Sequence, residues 1–152
     1  MHEIHSNLLW LGNAGDLREP RQLFDAGIAA VVDVAFEEPP AQLPRQLIYC
    51  RFPLNDGGGN DGSLLLQSVQ TITDLLAAGM RTIVACSAGM SRSPVIAAFA
   101  LAAHLNQSPD DVISRIAAIK PLDASSRFWD EVTNIFSQVR RTAHHSRPSK
   151  SC

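Results

Sequence analysis

The sequence predicts an α/β fold: a mostly parallel central sheet of about four to five strands, flanked by helices on both sides. Three observations predict it. Short runs of apolar and β-branched residues alternate with stretches of helical periodicity, the order that builds a parallel sheet. Residues 28–34 are almost continuously apolar, as a strand covered on both faces must be. Two loops with polar, chemically capable side chains each follow the carboxyl end of a strand, where ligands bind in such sheets.

The elements follow in order. Leu8-Leu9-Trp10-Leu11 reads as the first strand, stopped by Gly12-Asn13-Ala14-Gly15. A short helix starts at Glu19 or Pro20 and runs to Ala26, with Leu23 and Phe24 inward and Gly27 at its end. After the strand at 28–34, Glu37-Glu38-Pro39-Pro40 must be loop. Residues 46–52 form a third strand, with Leu47, Tyr49 and Arg51 alternating against Ile48, Cys50 and Phe52. Residues 53–63 are the most turn-rich of the chain and predict a mobile surface loop. Leu65, Val69, Ile72 and Leu76 fall at helical spacing over residues 63–78, and Gly79 ends that helix. A buried strand at 82–86 and a helix at 92–105 come next. Ser108-Pro109-Asp110-Asp111 opens a helix that runs to about Ile119, through a capping hydroxyl, an N1 proline and acids at the positive dipole end. Pro121-Leu122-Asp123-Ala124 interrupts, and Ser125 or Ser126 opens a last helix with Phe128, Val132, Ile135, Phe136 and Val139 on its core face.

The chain has 152 residues, 45% of them apolar, enough for one domain with a real core, placed at 1–140. Residues 141–152 are polar and basic without periodicity and predict a disordered tail. Residues 1–139 hold 9 basic and all 15 acidic side chains, which argues against a nucleic-acid partner. No apolar run is long enough to span a membrane, and residues 1–15 lack the pattern of a secretory signal. Three cysteines at 50, 86 and 152 suit neither a disulfide framework nor a zinc site, and the five histidines show no ligand spacing. No metal or other cofactor is expected, and a reducing cytoplasm suits the chain.

The segment joining the strand at 82–86 to the helix at 92–105 carries the chemistry. Cys86 is followed by five mostly small residues and Arg92, with Ser93 directly after and Pro94 inside the first helical turn. Loop and first-turn N–H groups converge there into an anion site. The same field favours a thiolate at the mouth of the loop, and Arg92 offers a planar fork that matches two phosphate oxygens. The competing reading is that Cys86 is only a small buried hydrophobe. The bare Cys-x5-Arg pair recurs by chance; its setting between an apolar strand and a proline-started helix is far less common.

Val84-Ala85-Cys86-Ser87-Ala88-Gly89-Met90-Ser91-Arg92-Ser93-Pro94 resembles the signature of the protein tyrosine phosphatases, in particular the small dual-specificity branch. Asn7-Leu8-Leu9-Trp10-Leu11-Gly12 is similar to that branch's opening strand and residues 27–34 to its second, and the likeness spans about residues 4–140. It implies a cysteine-dependent phosphatase acting on phosphotyrosine, and also on phosphoserine and phosphothreonine, through a cysteinyl-phosphate. Cys86 is then the nucleophile, and the N–H groups of Ser87, Ala88, Gly89, Met90 and Ser91 hold the phosphate together with Arg92. Asp56 falls where the branch places its general acid, with Asp61 in reserve, and Ser93 is placed to hydrogen-bond the thiolate. The expected partner is a phosphorylated protein or a small phosphomonoester, and the expected state a monomer.

One residue departs from the resemblance. Ala85 stands where the family usually has a histidine that braces the loop, so the site is expected to be less rigid. The alternative is therefore a phosphate-binding pseudophosphatase module with little turnover. A sulfurtransferase or arsenate reductase would also use a cysteine loop, but partner thiols are not evident, and a loop without lysines disfavours inositol phosphates. Cys50 could form a protective disulfide with Cys86 or be plain core. Asp123 reads as a rim or capping residue, and Arg127 as a surface charge or a second phosphate contact.

Overall fold

The computed structural model describes the backbone of residues 1–145 and the side chains of residues 1–139. Among these residues five strands, β1 (His2–His5), β2 (Leu9–Asn13), β3 (Ala30–Ala35), β4 (Ile48–Leu54) and β5 (Thr82–Cys86), make one sheet in the order β1-β2-β5-β3-β4. β2, β5, β3 and β4 run parallel, and β1 folds back antiparallel on β2. The helices are α1 (Ala14–Leu17), α2 (Pro20–Asp25), α3 (Gly62–Ala77), α4 (Arg92–Leu105), α5 (Pro109–Ile119) and α6 (Ser126–His145). The expected mostly parallel sheet with helices on both faces is the observed architecture.

Strand alternation divides the apolar side chains into two cores. Leu9, Leu11, Val32, Val34, Val84 and Cys86 face the larger one, shared with α3, α4, α5 and α6. Trp10, Val31, Ile83 and Ala85 face the smaller one, covered by Leu17, Leu23, Ile28 and Leu47. Of the predicted alternation, Cys50 and Phe52 join the first core and Leu47 and Tyr49 the second, but Ile48, expected with Cys50 and Phe52, is 40% exposed at the start of β4. α4 is buried continuously from Arg92 to Ala102, which its small and apolar residues permit, and the other helices pack around it.

Several expectations need correction. β1 was not anticipated, because His-Glu-Ile-His is polar and half-exposed; it forms by pairing along the sheet edge, through a turn in which Leu8 N donates to His5 O. Phe24 is 46% exposed, since in the short α2 only Leu23 can face the sheet. Val139, 43% exposed, lies past the end of the core that Phe128 and Val132 enter. The backbone stays helical to His145, so residues 141–145 continue α6 rather than starting a tail; the rest of that expectation lies outside the described residues.

Candidate active site

Parallel strands bring their carboxyl ends to one edge, and the register shows which residues meet there. Asn13 on β2 pairs with Cys86 on β5, and Ala35 on β3 with Leu54 on β4. Segments leaving those positions must therefore converge. They enclose a pocket of about 130 Å³ lined by Glu37, Asp56, Cys86, Ser87, Ala88, Met90, Ser91, Arg92 and Asp123. That volume suits a small anionic group better than a drug-sized ligand.

Cys86 ends β5 at 2% exposure, and its Sγ lies 3.2 Å from Ser93 Oγ, itself fully buried in the first turn of α4. Between them the loop turns through Gly89 at φ +72°. A Cβ there would also stand 2.7 Å from Gly12 O, so both conformation and space demand glycine. The outward carbonyls of the loop are held from its surroundings. Ala14 N donates to Ser87 O at 3.2 Å, Asp123 N to Met90 O at 2.9 Å, and Lys120 Nζ to Gly89 O.

Arg92 is 2% exposed. Its Nη1 donates to Leu54 O at 2.8 Å and to Glu37 Oε2 at 2.6 Å, while Nη2 donates to Glu37 Oε1 and, at 3.4 Å, to Ser87 Oγ. The fork expected to face two phosphate oxygens is thus turned onto Glu37. Nε is the remaining donor: it is buried and has no hydrogen-bond partner. Burial opposes the Arg92 charge, but Glu37, Cys86 and Asp56 outweigh it and keep the guanidinium firmly protonated. The hydrogen bond from Arg92 pulls the Glu37 carboxyl down to about 2, with help from Ser87 and against a smaller opposing effect of burial. Sequence reasoning missed Glu37, although its place two residues past β3 on the ligand-binding edge was a usable signal.

Asp56 reaches the pocket as predicted, and Ser91 Oγ donates to its Oδ1 at 2.7 Å. Ser91 therefore presents its hydroxyl to the acid, and only its backbone N–H is left for the loop. Asp61 is engaged elsewhere: it caps α3, accepting from Ser63 N at 2.9 Å and Leu64 N at 3.1 Å. The Ser63 hydroxyl, then the two N–H groups, hold its carboxyl below the usual range. Met90, 37% exposed, forms pocket wall, and Asp123 sits at the rim. Arg127 stands apart, lining a separate open cleft with Gly59 and Glu131.

The expected mobility of the Asp56 loop meets a different picture, because α6 pins it. Glu131 accepts from Gly59 N at 2.8 Å, Asn60 N at 2.9 Å and Asn60 Nδ2 at 3.0 Å. A disulfide between Cys50 and Cys86 is excluded by topology, since β3 lies between their strands. Two interstrand spacings hold the Cα atoms at least ~9.6 Å apart, beyond the ~7 Å a disulfide can bridge. Among the described residues no group of three or more His, Cys, Asp and Glu could hold a metal ion, and no helix is long and apolar enough to cross a membrane.

Solved structures share this fold. Human DUSP28 superposes with a TM-score of 0.81 over 93% of this chain and 99% of its own, at 21% identity. The chain has the dual-specificity phosphatase fold. A mouse putative dual specificity phosphatase complexed with zinc tungstate matches at TM-score 0.79 and 22% identity, over 93% of this chain and 89% of its own. DUSP15 matches at 0.78 and 22%, over 99% and 98%. Neither a protein-family model nor a curated protein matches the sequence significantly. The likeness lies in the dual-specificity phosphatase fold.

Proposed function

We propose that the protein is a cysteine-dependent phosphatase that hydrolyses phosphotyrosine, with phosphoserine and phosphothreonine as further substrates. The observation that carries this reading is the convergence of Cys86, Arg92 and Asp56 on one small pocket, with the Ser93 hydroxyl 3.2 Å behind the Cys86 sulfur. Cys86 Sγ attacks phosphorus and forms a cysteinyl-phosphate as the ester P–O bond breaks. Asp56 protonates the departing oxygen, then takes a proton from the water that attacks the intermediate. The P–S bond breaks, inorganic phosphate leaves, and the Ser93 hydroxyl hydrogen-bonds the returning thiolate. Loop N–H groups from Ser87 to Ser91 and the unpaired Arg92 Nε bind the phosphoryl oxygens throughout. Asp61 caps α3 instead, which supports Asp56 as the acid.

Hydrolysis of an aryl phosphate by wild type and Cys86→Ser, with vanadate as competitor, tests the reading. Turnover by wild type alone, inhibited by vanadate, is expected. Vanadate binding without turnover would replace it with the phosphate-binding module, for which Ala85 is the motivating observation: its buried methyl sits in the smaller core and donates no hydrogen bond to the loop.

A further inference from the structure

In a planar trans peptide the N–H points opposite the C=O. Each loop carbonyl held outward therefore turns the next residue's N–H toward the concave side. Ala14 N fixes Ser87 O, and Asp123 N fixes Met90 O, which orients the N–H groups of Ala88 and Ser91. The peptide between Gly89 and Met90 is held differently. It follows the left-handed turn at Gly89, and its carbonyl is bound by a side chain, Lys120 Nζ.

Lys120 follows α5 directly and is only 7% exposed. Burying an ammonium beside one neutral carbonyl is unfavourable and calls for a nearby negative group. Burial does push the Lys120 pKa down, and the opposing influences are Cys86 first and Asp16 second. Asp16 lines the same small cavity as Lys120 and Gly89, and the loop whose carbonyl Lys120 binds begins at Cys86. The bond and the charge act on the same loop from its outer side.

We propose that Lys120 is a positioning residue of the phosphate site, fixing the Gly89–Met90 peptide so that Met90 N–H faces the phosphoryl group and supporting the Cys86 thiolate with its charge. The proposal rests on the reading of this pocket as a phosphate site. It gives the loop the external brace that Ala85 lacks, from a segment remote in sequence.

The test compares Lys120→Met, Lys120→Gln and Lys120→Arg in the full chain, reading vanadate affinity and the rate of Cys86 alkylation by iodoacetamide at neutral pH. Lys120→Met is expected to weaken vanadate binding about tenfold and to slow alkylation several-fold. Lys120→Gln keeps a donor without the charge and should recover part of the affinity but not the alkylation rate; Lys120→Arg should recover both. Affinity and alkylation equal to wild type in Lys120→Met would overturn the proposal. Should that variant fail to fold, equal alkylation of Lys120→Gln and Lys120→Arg would do the same. Failure of the phosphatase reading looks different: wild type would bind vanadate without turnover, and the comparison of variants would stand. A wild type that binds no vanadate removes the site itself.

Discussion

At the scale of single residues, two carboxylates five positions apart have opposite assignments. Asp56 faces the pocket with one hydrogen bond, while Asp61 closes the first turn of α3. Asp56→Asn should slow substrates with poor leaving groups far more than those with good ones, because only the former need the proton. Asp61→Ala should lower stability through the lost N-cap, and leave leaving-group dependence unchanged. Denaturant unfolding and an aryl phosphate series separate the two; the converse pattern would exchange their roles. Glu37 gives a pH signature. Its carboxyl titrates at 4.5 ordinarily and at about 2 beside Arg92. A depressed folded pKa stabilises above the unfolded value and loses that contribution as pH falls through the folded one. Stability should therefore decline between pH 4.5 and about 2 in wild type, and less steeply in Glu37→Gln. Because the Glu37 side chain is half exposed, solvent screening keeps the effect modest.

At the scale of elements, each piece of the site is positioned by a neighbour that sequence order does not reveal. The Asp56 loop, rich in glycine and asparagine, reads as mobile, yet Glu131 on α6 holds three of its N–H groups. Glu131→Ala should raise hydrogen exchange at Gly59 and Asn60 and weaken the general-acid contribution while leaving vanadate affinity intact. Unchanged exchange would mean the loop holds itself. The helices of this site were legible because periodicity and caps are local: Leu65, Val69, Ile72 and Leu76 are all buried, and Ser108 caps α5 as its sequence indicates. β1 was not legible, because an edge strand made of His-Glu-Ile-His has no apolar face to announce it.

At the scale of the whole molecule, charge would select among the phosphoesters of the proposed reaction. Glu37, Asp56 and Asp123 line the pocket, and Arg92 is its only cationic lining residue among the described ones. The described body is itself acidic, with 9 basic against 15 acidic residues through position 139. Such a rim repels polyanions and attracts cations. Phosphotyrosine peptides flanked by lysine or arginine should be hydrolysed with higher kcat/KM than acidic ones, the gap narrowing as salt rises. A preference for acidic peptides would place the substrate's flanks elsewhere on the surface.

The sequence by itself determined the alternation of strands and helices and the Cys86–Arg92 loop. These depend on periodicity, turn chemistry and short-range spacing, which a chain carries locally. Only the tertiary structure decided that Glu37 occupies the Arg92 fork, that Cys50 cannot reach Cys86, and that Lys120 and Glu131 hold the two loops. Each of those depends on which elements the sheet order and helix packing bring together, and the partners lie far apart in the chain.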